Sequence, residues 1–222
     1  AATFFTVITG IKGVINAISY VVPFLIFSVL FISVVSLLKN PVSLVDIEAA
    51  STLKGATPNW FLSAVNYASY NLVIAIAVLT PIGAKTESKK KLFKGALFGS
   101  LGLGIGMTAI YFCILSNIIQ IYSMEIPMIE IANNISFFVK IIFAVVLFAE
   151  VYTTAVGNLY GFAERVNIKL PKTVFIFIVT LFAFFAAQIG FSNMIKYLYP
   201  GIGYGGILFF AGVIFIWIFK KF

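Results

Sequence analysis

Six long apolar runs, at about residues 14–38, 60–83, 95–119, 137–161, 173–193 and 204–219, leave this chain few ways to fold. In hydrocarbon every backbone N–H and C=O must find its partner within the protein, which a helix of about 20 residues achieves and an open strand does not. Charged residues make up only 10% of the 222 positions and hydrophobic ones 62%, whereas roughly a quarter of a soluble domain is charged. The expected fold is an all-α integral membrane protein, a single transmembrane domain of six helices, multi-pass in the cell membrane, with the lipid bilayer as its first partner.

The net charge of +8 does not point to nucleic acid, because the basic residues sit in short clusters between the apolar runs. They fall instead into a topology pattern. Lys12, Lys85, Lys89, Lys90, Lys91, Lys94, Arg165, Lys169, Lys172, Lys220 and Lys221 lie on one side, against Lys39, Lys54, Lys140 and Lys196 on the other. Eleven against four places both ends of the segment in the cytoplasm by the positive-inside rule. The first residues, "AATFFTVITG", are apolar from position 1 and have neither an initiator methionine nor a basic leader. They read as the end of a helix begun earlier, so further N-terminal helices of the same chain are expected partners. With a single cysteine, Cys113, and no histidine, neither disulfides within the chain nor zinc sites are expected. An intramembrane enzyme is disfavoured as well, since no nucleophile stands beside a base.

Polar residues at membrane depth are the functional signal. Glu150 stands near the middle of the fourth run, where even low estimates put the cost of an acidic side chain at about 2.5–3.5 kcal/mol. Thr153, Thr154, Gly157 and Asn158 follow at helical spacing on the same face. One carboxylate with two adjacent hydroxyls offers hard oxygen ligands to a cation, or a place for a proton. A purely structural role, hydrogen bonding to another helix, is the competing reading. In the second run, "SAVNYASYN" spreads Asn66, Tyr67, Ser69, Tyr70 and Asn71 nearly all round a helix. Two solutions avoid the cost of meeting lipid: a helix enclosed by others, or a broken one whose irregular backbone lines a cavity. In the second case the backbone at Ala68 and Ser69 meets the solute, and Asn66 and Asn71 satisfy the freed peptide groups.

Outside these groups, Gly95, Gly99, Gly102 and Gly106 form two small-xxx-small pairs for close helix packing. A nucleotide-binding loop is excluded there, since no strand precedes it. Pro23 is expected to kink the first span. "VDIEAAST" reads as a short helix, and "IPMIEIA" as a short helix or structured loop over the outer face, or a moving lid.

"VNYASYNLVIAIAVLTPIG", "IPMIEIAN" and "LFAEVYTTAVGNLYGFAERV" together resemble the YkvI-type membrane proteins of bacteria, considered distant relatives of the amino acid–polyamine–organocation transporters with the LeuT fold. The resemblance runs over essentially the whole chain. It implies that the six spans correspond to the fifth through tenth helices of a ten-helix inverted-repeat core. Residues 66–71 would then match the unwound part of the sixth helix, where solute binds. Thr153 and Thr154 would match a hydroxyl pair that helps to hold sodium, and "IPMIEIANN" the loop that closes over the site. Glu150 departs from the small residue common in sodium-coupled relatives, which leaves proton coupling open. The first helix, which supplies the other half of both sites, is not in this sequence.

The expected function is a secondary active transporter, a symporter of a small amino-acid-like solute. Asn66, Tyr67, Ala68, Ser69, Tyr70 and Asn71 would be solute-binding, and Glu150, Thr153, Thr154 and Asn158 ion-coupling. No cofactor is expected beyond sodium or a proton, and no metal site beyond sodium at Thr153 and Thr154. The alternative is a non-transporting solute sensor or receptor subunit of the same fold.

Overall fold

A computed structural model of the chain describes residues 2–8, 11–53, 57–84, 86–166 and 169–219. Among these there is no strand. The helices are α1 (Ala2–Ile8), α2 (Ile11–Lys39), α3 (Leu44–Thr52), α4 (Trp60–Ala84), α5 (Lys89–Leu115), α6 (Ile118–Ile121), α7 (Pro127–Ile135), α8 (Phe137–Arg165), α9 (Lys172–Ala186), α10 (Phe191–Asn193) and α11 (Tyr199–Phe219). A 3₁₀ turn, Ala187–Ile189, joins α9 to α10, and a π turn, Met194–Leu198, joins α10 to α11. Among the described residues five helical stretches are long and apolar enough to cross a bilayer: Ser19–Lys39, Lys89–Leu115, Phe137–Ala163, Lys172–Ile189 and Phe191–Phe219. A sixth, Trp60–Ile76 within α4, is apolar but shorter by the same measure. The fold is an all-α membrane protein. Of the lysines counted for orientation, Lys54, Lys85, Lys220 and Lys221 lie outside the described residues.

The chain divides into two compact units, Ala1–Leu53 with Gly83–Tyr160, and Lys54–Ile82 with Gly161–Phe222. In the first, Val29 and Ile32 of α2 pack with Cys113 of α5, Ile121 of α6, Met128, Ile131 and Ala132 of α7 and Phe143 of α8. The stretch read as a lid, a loop or a short helix is therefore a helix packed into a core. Pro127 starts it, where a missing N–H costs nothing, and burial at positions i, i+3 and i+4 holds its apolar face. Outward-facing apolar side chains such as Trp60, Leu38 and Phe148 are more than three-quarters exposed. On a membrane-spanning protein they are the surface that lipid covers.

Of the two solutions expected for the α4 backbone, one is removed. The polar run of residues 66–71 is not a break, because α4 is continuous from Trp60 to Ala84. It holds neither glycine nor proline, so nothing there interrupts the i to i−4 bonding. Irregular backbone appears later, at the end of the expected fifth span and in the loop after it. Gly190 takes φ 91°, a conformation that favours glycine, and the π turn ends with the Tyr199 N–H bonded to the Met194 carbonyl. Pro200 follows directly. It has no N–H to give, and its ring would crowd the carbonyl four residues back, so the wider turn before it relieves a clash.

Ser43 and Asp46 close a capping box at the start of α3. The Ser43 hydroxyl and N–H donate to Asp46 Oδ2 over 2.7 and 2.9 Å, and the Asp46 N–H donates to Ser43 Oγ over 3.3 Å. Donation from the Ser43 side chain and then from its N–H holds the Asp46 carboxyl below its ordinary 3.8. A depressed folded value means that the box is fully present above the unfolded value and lost as pH falls through the folded one. Hydrogen exchange over α3, corrected for intrinsic rate, should therefore accelerate only below pH 3.8. Asp46→Asn is expected to remove that dependence, and Ser43→Ala to weaken the helix at every pH, by about 1 kcal/mol.

Candidate functional site

In the second unit the polar stretch of α4 is packed against the glycine-rich start of α11. Asn66 and Ser69, one turn apart, are buried. Asn66 Nδ2 donates to the Pro200 carbonyl over 3.1 Å, and the Tyr70 ring stacks on Tyr199 at 5.1 Å. The approach is close enough to require glycine opposite. A Cβ on Gly203 would lie within 2.6 Å of Asn66 Cγ, and one on Gly206 within 2.5 Å of Ser69 Oγ and 3.1 Å of the Ser69 carbonyl. Ser69 Oγ is enclosed without a hydrogen-bond partner. Tyr67, Ala68 and Asn71 occupy the exposed side, and Asn71 Nδ2 bonds back to the Tyr67 carbonyl at 2.8 Å. Asn66 and Asn71 therefore do not satisfy freed peptide groups. In a continuous helix none is freed there, and each amide serves a carbonyl instead.

The second group of expected residues lies on α8, in the first unit. Glu150 is half-buried, with Oε2 enclosed and unpartnered. Its Oε1 accepts from Thr154 Oγ1 at 3.5 Å, the outer limit of such a bond. Thr153 is 2% exposed and its hydroxyl donates to the Glu150 backbone carbonyl over 3.0 Å. Thr154 is exposed and Asn158 half-buried. The two hydroxyls, about 100° apart round the helix, thus have different surroundings, although both engage Glu150. Each keeps its oxygen lone pairs for a cation. Beside them Tyr152 shares a hydrogen bond with Thr6, tying α1 to α8. Among the described residues no group of three His, Cys, Asp or Glu side chains gathers to hold a metal.

Sequence reasoning missed a third polar cluster, where α2 and α5 end. Asn117 is 3% exposed; its Nδ2 lies within hydrogen-bonding distance of Ser36 Oγ (3.0 Å), Ser116 Oγ (3.0 Å) and the Cys113 carbonyl (2.9 Å). Asn40 Nδ2 donates to its Oδ1 at 3.4 Å. The signal was present in the paired endings "SLLKN" and "ILSN", each a Ser and Asn closing an apolar run. The glycines expected to pack divide: Gly95 and Gly99 are exposed, whereas Gly106 is buried and Gly102 half-buried against α2. Around Gly95, Gly99 and Gly106 an added Cβ would meet nothing within 4 Å, and at Gly102 only Ile26 Cδ1 at 3.8 Å.

The chain is similar to a Bacillus subtilis (strain 168) protein named uncharacterized membrane protein YkvI, 32% identical over 210 residues, which are 92% of this chain and 58% of that protein. It is also similar to the uncharacterized protein YyaD of the same organism, 23% identical over 199 residues, 87% of this chain and 56% of the relative. The chain thus spans little more than half the length of these curated relatives. No family model and no solved structure matches it.

The glycine contrast sets an expected order of stability. Gly206→Ala, which meets backbone, should destabilise the detergent-solubilised protein by about 1–3 kcal/mol. Gly203→Ala should cost less unless displacement of the Asn66 amide also breaks its bond to Pro200. Gly99→Ala should be neutral or stabilising by up to about 1 kcal/mol, since only helix propensity changes. Denaturant titration followed by circular dichroism reads all three.

Proposed function

This chain is a homologue of the membrane protein YkvI, and we propose that it forms part of a secondary active transporter for a small amino-acid-like solute, coupled to protons or sodium. One observation carries the reading. Glu150 lies within a membrane-spanning helix with one oxygen enclosed and unpartnered. An acidic side chain at that depth is costly, and such residues commonly mark ion or proton pathways. Thr154 brings a hydroxyl to its carboxyl and Thr153 one to its backbone carbonyl, neutral oxygens suited to a sodium ion or a transferable proton. In this reading the spans belong to a LeuT-like core, and residues 66–71 of α4 face the solute once α4 and α11 part.

The full-length protein in proteoliposomes is the material for the test, with radiolabelled protein amino acids screened as solutes under an imposed proton or sodium gradient. Gradient-driven uptake that Glu150→Gln abolishes or uncouples is the expected result. Uptake with unchanged ion dependence in that variant would remove Glu150 from the coupling. Solute binding by thermal shift with no flux under either gradient would make the protein a sensor rather than a transporter.

A further inference from the structure

α5 carries two features on one stripe of its surface. Near its N-terminus stand Lys89, Lys90, Lys91 and Lys94, all exposed, with Glu87 as the only acidic residue between positions 85 and 94. Further along, an open groove of about 570 Å³ runs between α5 and α2, lined by Leu101, Ile105, Thr108 and Phe112 with Leu30 and Val34. Helical spacing joins the two: Lys90, Lys94, Leu97, Leu101, Thr108 and Phe112 recur at intervals of three, four or seven and share a face. The groove follows α5 from Ser100 to Phe112, about 18 Å along a helix rising 1.5 Å per residue. One leaflet of hydrocarbon is about 15 Å deep, and the headgroup region adds roughly 5–8 Å on each side.

We infer that this stripe is a binding site for an anionic phospholipid, one acyl chain lying in the α2–α5 groove and the phosphate held by Lys90 and Lys94. Charge complementarity fixes the class of headgroup, since clustered lysines flanking a membrane helix attract anionic lipid. Gly104 lines the groove, and a Cβ there would meet nothing within 4 Å. The missing side chain leaves depth for a chain of methylenes, where a larger residue would fill the space.

Thermal-shift measurements on the full chain in mild detergent test the site, with phosphatidylglycerol, phosphatidylcholine and inorganic phosphate added separately. Phosphatidylglycerol should raise Tm by several degrees; the zwitterionic lipid should raise it less, and phosphate not at all. Lys90→Gln with Lys94→Gln, both exposed and expected to fold, should erase the difference between the two lipids. Gly104→Leu should weaken the response to both. A photoreactive side chain at Ile105 should label lipid. Equal responses to the two lipids in the unaltered protein, a preference surviving the double substitution, or Ile105 labelling another helix or a second copy would each overturn the assignment. Stabilisation by phosphate alone would reduce the site to a free-anion patch and overturn the acyl-chain part.

Discussion

Backbone hydrogen bonding in a medium without water governs this protein. Each long apolar run has to satisfy its own peptide groups, so helices follow almost without regard to intrinsic propensity. The same constraint decides where the chain departs from the regular helix. Between α9 and α11 the departures are the 3₁₀ turn ending at Gly190 and the π turn ahead of Pro200, a residue without an N–H that leaves no regular continuation. The polar run of α4 offers no such compulsion and stays helical.

Polar side chains in these helices meet their needs in two ways. Thr80, Thr108, Thr153 and Thr180 bond back to the preceding turn of their own helix, which consumes the hydroxyl proton and asks nothing of a neighbour. Asn66 and Asn117 cannot be satisfied so locally and reach across to another helix, fixing which elements meet. Glu150 follows neither pattern fully, since one of its oxygens has no partner. The Ser33 and Ser69 hydroxyls are unpartnered too, but a hydroxyl carries no charge; an unpartnered carboxyl can bind a proton or a cation, and that is why chemistry is assigned there.

Helical class and membrane character were legible from apolar run length alone, because length and burial in lipid permit little else. The short α3 was legible as a helix and α7 as one of three readings; the Ser43–Asp46 box and the burial of Met128, Ile131 and Ala132 are what the structure adds. Helix pairing was not. A Gly-xxx-Gly spacing says that a close approach is sterically permitted, not that a helix takes it up, so Gly95 and Gly99 looked like a seam and are open. Gly203 and Gly206 became one because Asn66 and Ser69 needed cover, a requirement that belongs to two segments more than 130 positions apart. The polarity of residues 66–71 was read as costly, but whether enclosure or a break removes the cost depends on the partner, which periodicity does not name.

The α4–α11 seam has a mechanical character. Asn66 and Ser69 sit in the notches that Gly203 and Gly206 leave, as a key sits in a slot, and the Asn66–Pro200 bond and the Tyr70–Tyr199 stack mark the axial position. Sliding of packed helices by small steps is a recognised mode of shear motion. A slip of one helix turn along this seam would have to empty both notches and break both contacts together. One hydrogen bond and one ring pair thereby index the register of two helices that glycine lets approach closely.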